Sequence, residues 1–539
     1  MIHISKHAPA ETAGQAVTDA YLFLVFLCLP LVVHQGYYDI TETKFLFFLG
    51  VGALYVLSIL FLWFCGRRAA FPFRPVKALM AADIGMGAFA AAYIASSLYS
   101  GGLGPWLGIG ARYQGGMTAL CYALVYACVS RNFRISKLGI TGLVTGFSLC
   151  CLLALVNDFG VDPLGMMRAL PVDQRWQFVS TLGNTNFYSA YAGSLLPVAL
   201  LFWCLAETRF YRILSGAAML CGFCGLLPTA SESGMLALLA ALWLSPLFLM
   251  ERPRALRRFL TALLAMLAVL GGLRLLYQYL PHVYYLSFSL NSLTRPAPLA
   301  TLALLCLCLL LALRKREAPL RCQKAYIGVS LALAALGILA LTVINTAFAA
   351  RSFGWLDRFI KLNENWGTDR GRIWTYCIRA YGAFPLFQKL IGAGPGFLMQ
   401  YDSLHPLFPD AILDSAHNEY LNYLLAVGIV GFAGYLCWIT GVIKAAFARR
   451  GGAPLALAFG MGALAYAVQA IVNIAQPIST PFLFLLLAMA AGCATIPQSA
   501  SVAAAFPPRS YITGGSPTGS EGAAATPSSP SPATSEATE

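Results

Sequence analysis

The chain has 539 residues, of which 59% are hydrophobic and only 11% are charged. A soluble domain carries about 25% charged residues, so this composition excludes an ordinary soluble globule. The formal net charge is +14, but the positions of the Lys and Arg residues between apolar runs indicate membrane sidedness, and we expect no nucleic-acid partner.

Apolar runs of about 20 residues recur along almost the whole chain, and each is long enough to cross a bilayer as a helix. A helix satisfies its own backbone hydrogen bonds inside lipid. The sequence therefore predicts an all-α polytopic membrane protein with about fourteen transmembrane helices, within a range of twelve to fourteen. The predicted spans are 18–33, 44–65, 77–98, 113–130, 138–157, 186–206, 213–230, 234–250, 259–280, 298–313, 325–347, 418–443, 455–474 and 479–495.

The connections between these spans alternate in their content of basic residues. Every second connection carries a cluster of Lys and Arg, and the short connections between them hold at most two basic residues each. Since Lys and Arg are retained on the cytoplasmic side, we predict that both termini are cytoplasmic. Residues 1–347 then carry helices 1–11, 348–416 form a large extracytoplasmic loop with short helices, 417–495 carry helices 12–14, and 496–539 form a disordered cytoplasmic tail.

The predicted loop from Phe348 to Ala416 is much longer than a usual loop, and long loops are often functional. Up to Lys389 it holds seven basic and three acidic residues, whereas 390–416 hold three Asp and no Lys or Arg. A basic half beside an acidic half suits an anionic leaving group next to a hydroxyl nucleophile. The alternative is a solvated loop whose charges only keep it in water.

A short helix is predicted to begin in the basic half, with Thr368 or Asp369 as its N-cap. Helical spacing puts Arg370 and Trp374 on one face and Arg372 on another. Arg is the residue best shaped to bind a phosphate, because its planar guanidinium donates two parallel hydrogen bonds. An amphipathic helix of this kind lies in the membrane interface, where a lipid-linked diphosphate presents its charge.

Two further motifs follow in the acidic half. The glycines Gly392, Gly394 and Gly396 form a turn that can let the backbone approach a ligand, although glycine-rich turns are common. The loop then runs into a span at His417, with Asp414 or Ser415 as the predicted N-cap. In a first helical turn the helix dipole would keep the imidazole neutral and able to accept a proton. The alternative is an interfacial histidine that only hydrogen-bonds the loop.

Together these motifs resemble the O-antigen ligase/polymerase family of bacterial envelope proteins. That family has an Arg before a Trp in its large outer loop, then Pro-Leu, a Gly-x-Gly turn, and His-Asn leading into a span. The segments that correspond are 370–374, 385–386, 392–396 and 417–421, with Gly428 and Gly431 in the span and 106–115 and 182–187 upstream.

The resemblance implies a metal-independent glycosyltransferase without a cofactor in the bacterial cytoplasmic membrane. The implied donor is a polyprenyl-diphosphate-linked glycan in the membrane lipid, and the acceptor is a glycan or lipid hydroxyl on the outer face. Because diphosphate is already a good leaving group, we expect Arg370 to stabilise its charge and His417 to orient or deprotonate the acceptor. The substrate-binding residues expected around this catalytic pair are Arg112, Arg372, Trp374, Gly394, Gly396, Asn418, Asn184 and Glu232.

Glu232 marks a departure from the family pattern. Many members carry Ser-Arg near the outer end of a middle span, where this chain reads Ser231, Glu232 and Ser233. Either Glu232 replaces a phosphate-binding Arg and is a functional carboxylate near bilayer depth, or it marks a connection exposed to water.

Two other functions are compatible with the composition. A transporter or flippase of lipid-linked oligosaccharide or polysaccharide would place charged residues at mid-span positions around a central cavity. Asp83 and Arg274 lie inside predicted spans, but Asp83 is near the start of its span. A scaffold of the envelope would instead use the loop as a docking surface. Single ligation and repeated polymerisation both remain open at this point.

Overall fold

The structure is a computed structural model that describes residues 9–67, 71–110, 112–134, 136–229, 231–283, 288–409, 411–449 and 453–495. The predicted tail at 496–539 lies outside the described residues. Two short strands, Phe178–Val179 and Gly183–Asn184, form an antiparallel pair. The α-helices are α1 Pro9–Leu31, α2 Ile40–Phe64, α3 Met80–Ser100, α4 Gly104–Leu107, α5 Gly116–Asn132, α6 Lys137–Asp158, α7 Thr185–Leu205, α8 Arg209–Leu226, α9 Glu232–Leu249, α10 Pro253–Tyr279, α11 Phe288–Leu293, α12 Pro296–Ala312, α13 Gln323–Asn345, α14 Asp357–Ile360, α15 Trp366–Ala383, α16 Leu386–Ile391, α17 Phe397–Leu404, α18 Glu419–Ala448, α19 Pro454–Gln469 and α20 Thr480–Thr495.

The helices confirm an all-α polytopic membrane protein. Each of the predicted spans overlaps an α-helix, and within the described residues eleven helices are long and apolar enough to cross a membrane. The helices α12 and α20 are apolar but shorter. The exact number of spans therefore stays a prediction.

The centre of the bundle is formed by α7, α19 and α20, whose side chains are almost all buried. The helix α3 packs along α18, and α1 packs along α6. By contrast, α12 and α13 have no buried residues, so they lie at the periphery. This arrangement places the start of α18 against the centre of the bundle.

Within the described residues, hydrogen bonds join connections of the same set to one another. The assignment of one end to the outside stays a prediction. At the end predicted to be outside, hydrogen bonds join Tyr37 to Ser180 (2.7 Å), Asn473 to Asn186 (3.0 Å) and Arg112 to Asp414 (3.0 Å). At the basic end, Arg258 donates to the Ala206 carbonyl (2.6 Å) and Arg131 pairs with Asp83.

The segment between α13 and α18 is folded and contains the helices α14 to α17. Its buried carboxylate, Asp402, accepts hydrogen bonds from the backbone amides of Leu407 (2.9 Å) and Leu413 (2.7 Å). These hydrogen bonds hold the chain between α17 and α18 against the end of α17. A small apolar core is formed by Ile373, Cys377, Phe384, Leu398, Leu413, Ala416 and Leu425, the last of which belongs to α18.

Candidate functional site

The first regular turn of α15 begins at Arg370. The three residues before it, Gly367, Thr368 and Asp369, have φ angles of 64°, 58° and 64°. The predicted N-cap at Thr368 or Asp369 is therefore wrong, because an N-cap residue has an extended backbone and these residues are left-handed. Strained backbone of this kind clusters at functional sites. Here the left-handed segment turns the chain so that Arg370 faces back toward it.

The guanidinium of Arg370 is half-buried and has no carboxylate partner among the described residues. Its Nη1 donates to the Gly367 carbonyl at 2.7 Å, while its Nε is buried without a hydrogen-bond partner in the described part of the chain. Burial lowers the pKa of this group from its ordinary value, but a guanidinium stays charged at any physiological pH. Arg370 is thus a cation with free donors, available to an anion.

His417 lies just before α18 and not in its first turn. The N-cap of the helix is Asn418, whose Oδ1 accepts a hydrogen bond from the Leu421 amide at 3.1 Å. The predicted N-cap at Asp414 or Ser415 is therefore wrong, because the amide side chain of Asn418 satisfies the first turn. His417 takes a φ of 47°, a left-handed backbone that His adopts more readily than most residues.

Three side chains fix the backbone that carries His417. The indole Nε1 of Trp374 donates to the Ala416 carbonyl at 3.1 Å. The Ala416 amide donates to Oδ1 of Asn422 at 2.8 Å, and the His417 amide donates to the Ser415 hydroxyl at 3.2 Å. Trp374 therefore contacts the backbone next to His417, while its predicted role in substrate binding stays a prediction. Ser415 and Asn422 were not predicted as site residues, and the only sequence signal for Asn422 is an amide within an apolar run.

The imidazole of His417 is held in its neutral form. Burial lowers its pKa from about 6.5 to about 4, and the positive charges of Arg370 and Arg112 act in the same direction. The carboxylate of Asp414 acts in the opposite direction but does not offset them. The sequence predicted a neutral imidazole from the helix dipole, whereas in the structure burial and two guanidinium groups lower this pKa.

Arg112 reaches the same site from the connection between α4 and α5. It forms an ion pair with Asp414, in which Nη2 donates to Oδ1 at 3.0 Å and Nε lies 3.0 Å from Oδ2 without forming a hydrogen bond. Its guanidinium also lies over the Phe187 ring, 5.8 Å from the centroid. Arg112 is therefore neutralised in this structure, unlike Arg370. Asp414 was predicted only as a cap and is a further member of the site.

The glycine turn docks on a kink in α18. Gly428, with a φ of 62°, interrupts that helix, and the amide of Gly394 donates to the Ala426 carbonyl at 3.0 Å. A Cβ on Gly394 would lie 1.7 Å from Oγ of Ser100, and the Gly394 φ is 94°. The positive φ and the close approach of the Ser100 side chain therefore favour glycine here.

The same turn also lines a small cavity of about 50 Å³ beside Arg112. Gly394 and Gly396 form one wall, and the Arg112–Asp414 ion pair forms part of another. The remaining lining residues are Tyr93, Gln114, Pro395, Phe397, Leu398, Ser415, Asn422, Tyr423, Leu425, Ala426 and Ala475. The glycines thus lie next to the charged cluster, while the amide of Gly394 is already used by α18.

A buried carboxylate anchors the first turn of α18. Glu419 is fully buried and accepts hydrogen bonds from the hydroxyls of Tyr435 (2.5 Å) and Tyr466 (3.1 Å). Tyr466 lies on α19, so this contact ties the start of α18 to the centre of the bundle. Glu419 was not among the predicted site residues, although a carboxylate next to His417 at the start of a span is a visible signal.

Arg372 lies apart from this cluster, on another face of α15. It pairs with Asp369 at 3.5 Å, and its guanidinium lies 5.5 Å from the centroid of the Phe408 ring. Neither contact involves Arg370 or His417. The predicted role of Arg372 in substrate binding stays a prediction.

The upstream residues lie at the same end of the bundle. Asn184 caps α7, since its Oδ1 accepts from the Asn186 amide at 2.9 Å. Glu232 is exposed at the first residue of α9, so it lies at the end of the helix and not at its middle. This position matches the alternative in which Glu232 marks a connection exposed to water. Substrate binding by Asn184 and Glu232 stays a prediction.

Residues 283–436 match the family model described as O-antigen ligase. No curated protein sequence matches the chain. The matched segment runs from before α12 into α18 and contains Arg370, Trp374, His417 and Gly428, whereas Arg112 lies outside it. The resemblance seen in the sequence is thereby confirmed: this multi-pass membrane protein carries an O-antigen ligase domain.

Proposed function

We propose that the protein is a metal-independent glycosyltransferase of the O-antigen ligase type. It transfers or polymerises a glycan from a polyprenyl diphosphate onto an acceptor hydroxyl at the outer face of the cytoplasmic membrane. The observation that carries this proposal is an unpaired, half-buried guanidinium, Arg370, beside a neutral imidazole, His417.

The transfer breaks the bond between the anomeric carbon of the donor glycan and the diphosphate oxygen. Negative charge develops on that oxygen as it leaves, and fixed donors aimed at such charge are usually the largest catalytic contribution. Arg370 supplies these donors without first breaking an ion pair. Its burial strengthens the interaction, because the surroundings screen charge less than water does.

The new bond joins the acceptor oxygen to the anomeric carbon, and the acceptor must lose its proton. The His417 imidazole is neutral, so it can accept that proton and release it to water afterwards. A positioned general base of this kind contributes typically 10²–10⁴-fold in rate. The contacts of Trp374 and Asn422 with the Ala416 backbone hold the segment that carries His417.

Arg112 provides a second cation once the donor is bound. In the described structure it pairs with Asp414, and a diphosphate would compete with that carboxylate for the same guanidinium. Bidentate binding of a phosphate by Arg has the same geometry as its binding of a carboxylate. The Arg112–Asp414 ion pair therefore keeps this position ordered before the donor arrives.

The test is an assay of the purified full-length protein with a polyprenyl-diphosphate-linked glycan and candidate acceptors. We expect a new covalent product, and we expect His417→Ala and Arg370→Ala each to abolish it at normal membrane abundance. Arg370→Lys should also be poor, because an ammonium cannot reproduce the two parallel hydrogen bonds. The matched control is Arg379→Ala, which removes an exposed Arg from the same helix and should retain activity.

Two results would contradict the proposal. Glycan that crosses the bilayer without a new covalent product would indicate the alternative function, a transporter or flippase. Undiminished product from the His417 or Arg370 variant would remove that residue from the site.

A further inference from the structure

A groove lies at the basic end of the bundle, opposite the candidate site. Its volume is about 530 Å³, within the range of small-molecule sites, which is about 300–1,000 Å³. It runs between the beginning of α3 and the last turns of α18. The lining residues are Lys77, Ala78, Met80, Ala81, Ala82, Ile84, Gly441, Lys444, Ala445, Ala448, Arg449 and Ala494.

Three cations border this groove, and no acidic residue lines it. Lys77, Lys444 and Arg449 are exposed, and their side chains make no ion pair or hydrogen bond within the described ranges. The acidic residue in this part of α3, Asp83, is instead paired with Arg131 on α5. The positive charge at the groove is therefore not neutralised by nearby carboxylates.

The rest of the groove is apolar, and most of the residues that line it are alanine. Met80 and Ile84 follow the groove along α3 and are 58% and 66% exposed. Long apolar side chains that face outward from a membrane helix contact acyl chains. The groove thus combines a cationic end with an apolar wall that runs toward the middle of the bilayer.

We propose that this groove binds an acidic phospholipid, with its phosphate among Lys77, Lys444 and Arg449 and an acyl chain along Met80 and Ile84. Basic pockets between transmembrane helices bind such headgroups, and the attraction is strongest near the membrane surface. A free phosphate would use the cations but not the apolar wall. The proposal concerns the opposite end of the bundle from Arg370 and does not depend on the proposed transfer reaction.

The test is native mass spectrometry of the delipidated full-length protein, titrated with phosphatidylglycerol or phosphatidylcholine. We expect phosphatidylglycerol to bind in clear preference to phosphatidylcholine. The triple variant Lys77→Ala, Lys444→Ala and Arg449→Ala should bind phosphatidylglycerol about 100-fold more weakly, since each cation near the surface contributes roughly fivefold. Equal binding by the wild type and this variant, or equal binding of both lipids, would overturn the proposal.

A matched control removes the same charge from the same end of the bundle. Arg314→Ala, Lys315→Ala and Lys324→Ala change exposed cations that lie between the end of α12 and the first turn of α13, outside the groove, and should leave the binding unchanged. A second variant, Ala448→Trp, keeps all three cations and fills the groove. It should also lose the lipid, and full binding by Ala448→Trp would show that the groove is not the site even if the triple variant fails to fold.

Discussion

At the scale of single residues, the candidate site depends on which charges are already paired. Arg112 is paired with Asp414 and Arg370 is not, although both act on His417. An unpaired Arg next to a neutral base is costly for the empty protein and useful for binding an anion. A bound diphosphate would supply the missing negative charge.

This charge relation predicts the pH dependence of transfer. The pKa of His417 in the free protein is lowered to about 4. We therefore expect kcat/KM to stay constant as the pH decreases, until the pH reaches about 4. Bound diphosphate offsets the two arginines and raises that pKa, so the acidic limb of kcat should lie at higher pH. The profiles are measured by product formation between pH 3 and 9, with about 0.5-unit steps.

The direction of the pKa shift of His417 also predicts how the stability of the folded state depends on pH. A lowered pKa means that the folded state resists protonation, so its stability falls as the pH decreases from about 6.5 to about 4.

Replacing Arg112 with Gln removes one of the positive charges that lower the pKa of His417, and should move the acidic limb of kcat/KM to higher pH. An acidic limb of kcat/KM near 6.5 in the wild type would contradict this account of His417.

At the scale of elements, the loop is held in place by its contact with a broken helix. The kink at Gly428 frees carbonyls of α18, and the glycine turn uses them as acceptors. The kink is therefore a docking point for the segment that carries Arg370. Since His417 lies just before the start of the same helix, the turn connects the segment of Arg370 to the segment of His417.

Adding a methyl group at the turn should disturb this contact. In Gly394→Ala the new Cβ would lie 1.7 Å from Oγ of Ser100, and the positive φ is unfavourable for alanine. We expect a loss of about 1–3 kcal/mol of stability and reduced product formation, measured by thermal unfolding and the transfer assay. Gly382→Ala is the control, because its Cβ would have nothing within 4 Å; equal behaviour of both variants would refute the docking role.

At the scale of the whole molecule, the bundle separates two chemically different ends. The end predicted to face outside carries the charged cluster, and the other end carries the basic connections and the lipid groove. Transfer and lipid binding would therefore take place at opposite surfaces of the membrane.

The orientation can be tested with reporters. An alkaline phosphatase fused after Ser403, in α17, should be exported and active, whereas one fused after Lys315 should stay in the cytoplasm and be inactive. The reason is that Lys and Arg are concentrated in the connections at the basic end, and such connections stay on the cytoplasmic side. The reverse pattern of activity would overturn the predicted topology, and with it the outer-face location of the transfer.

The sequence by itself determined the helices and the identity of the domain, because both are local. Apolar runs determine where the helices lie. Arg370 and Trp374 belong to one short motif and His417 to another, and each motif is recognised within a few residues. Where a local choice depended on one side chain, as at Asn418, the predicted helix start was wrong.

The pairing of charges was decided only by the tertiary structure. Arg112 and Asp414 are 302 residues apart in the chain, so no motif could show that one neutralises the other. The same holds for burial of the His417 imidazole and for the contact of Gly394 with Ser100. These features arise when separate segments pack together, and periodicity within one segment contains no information about them.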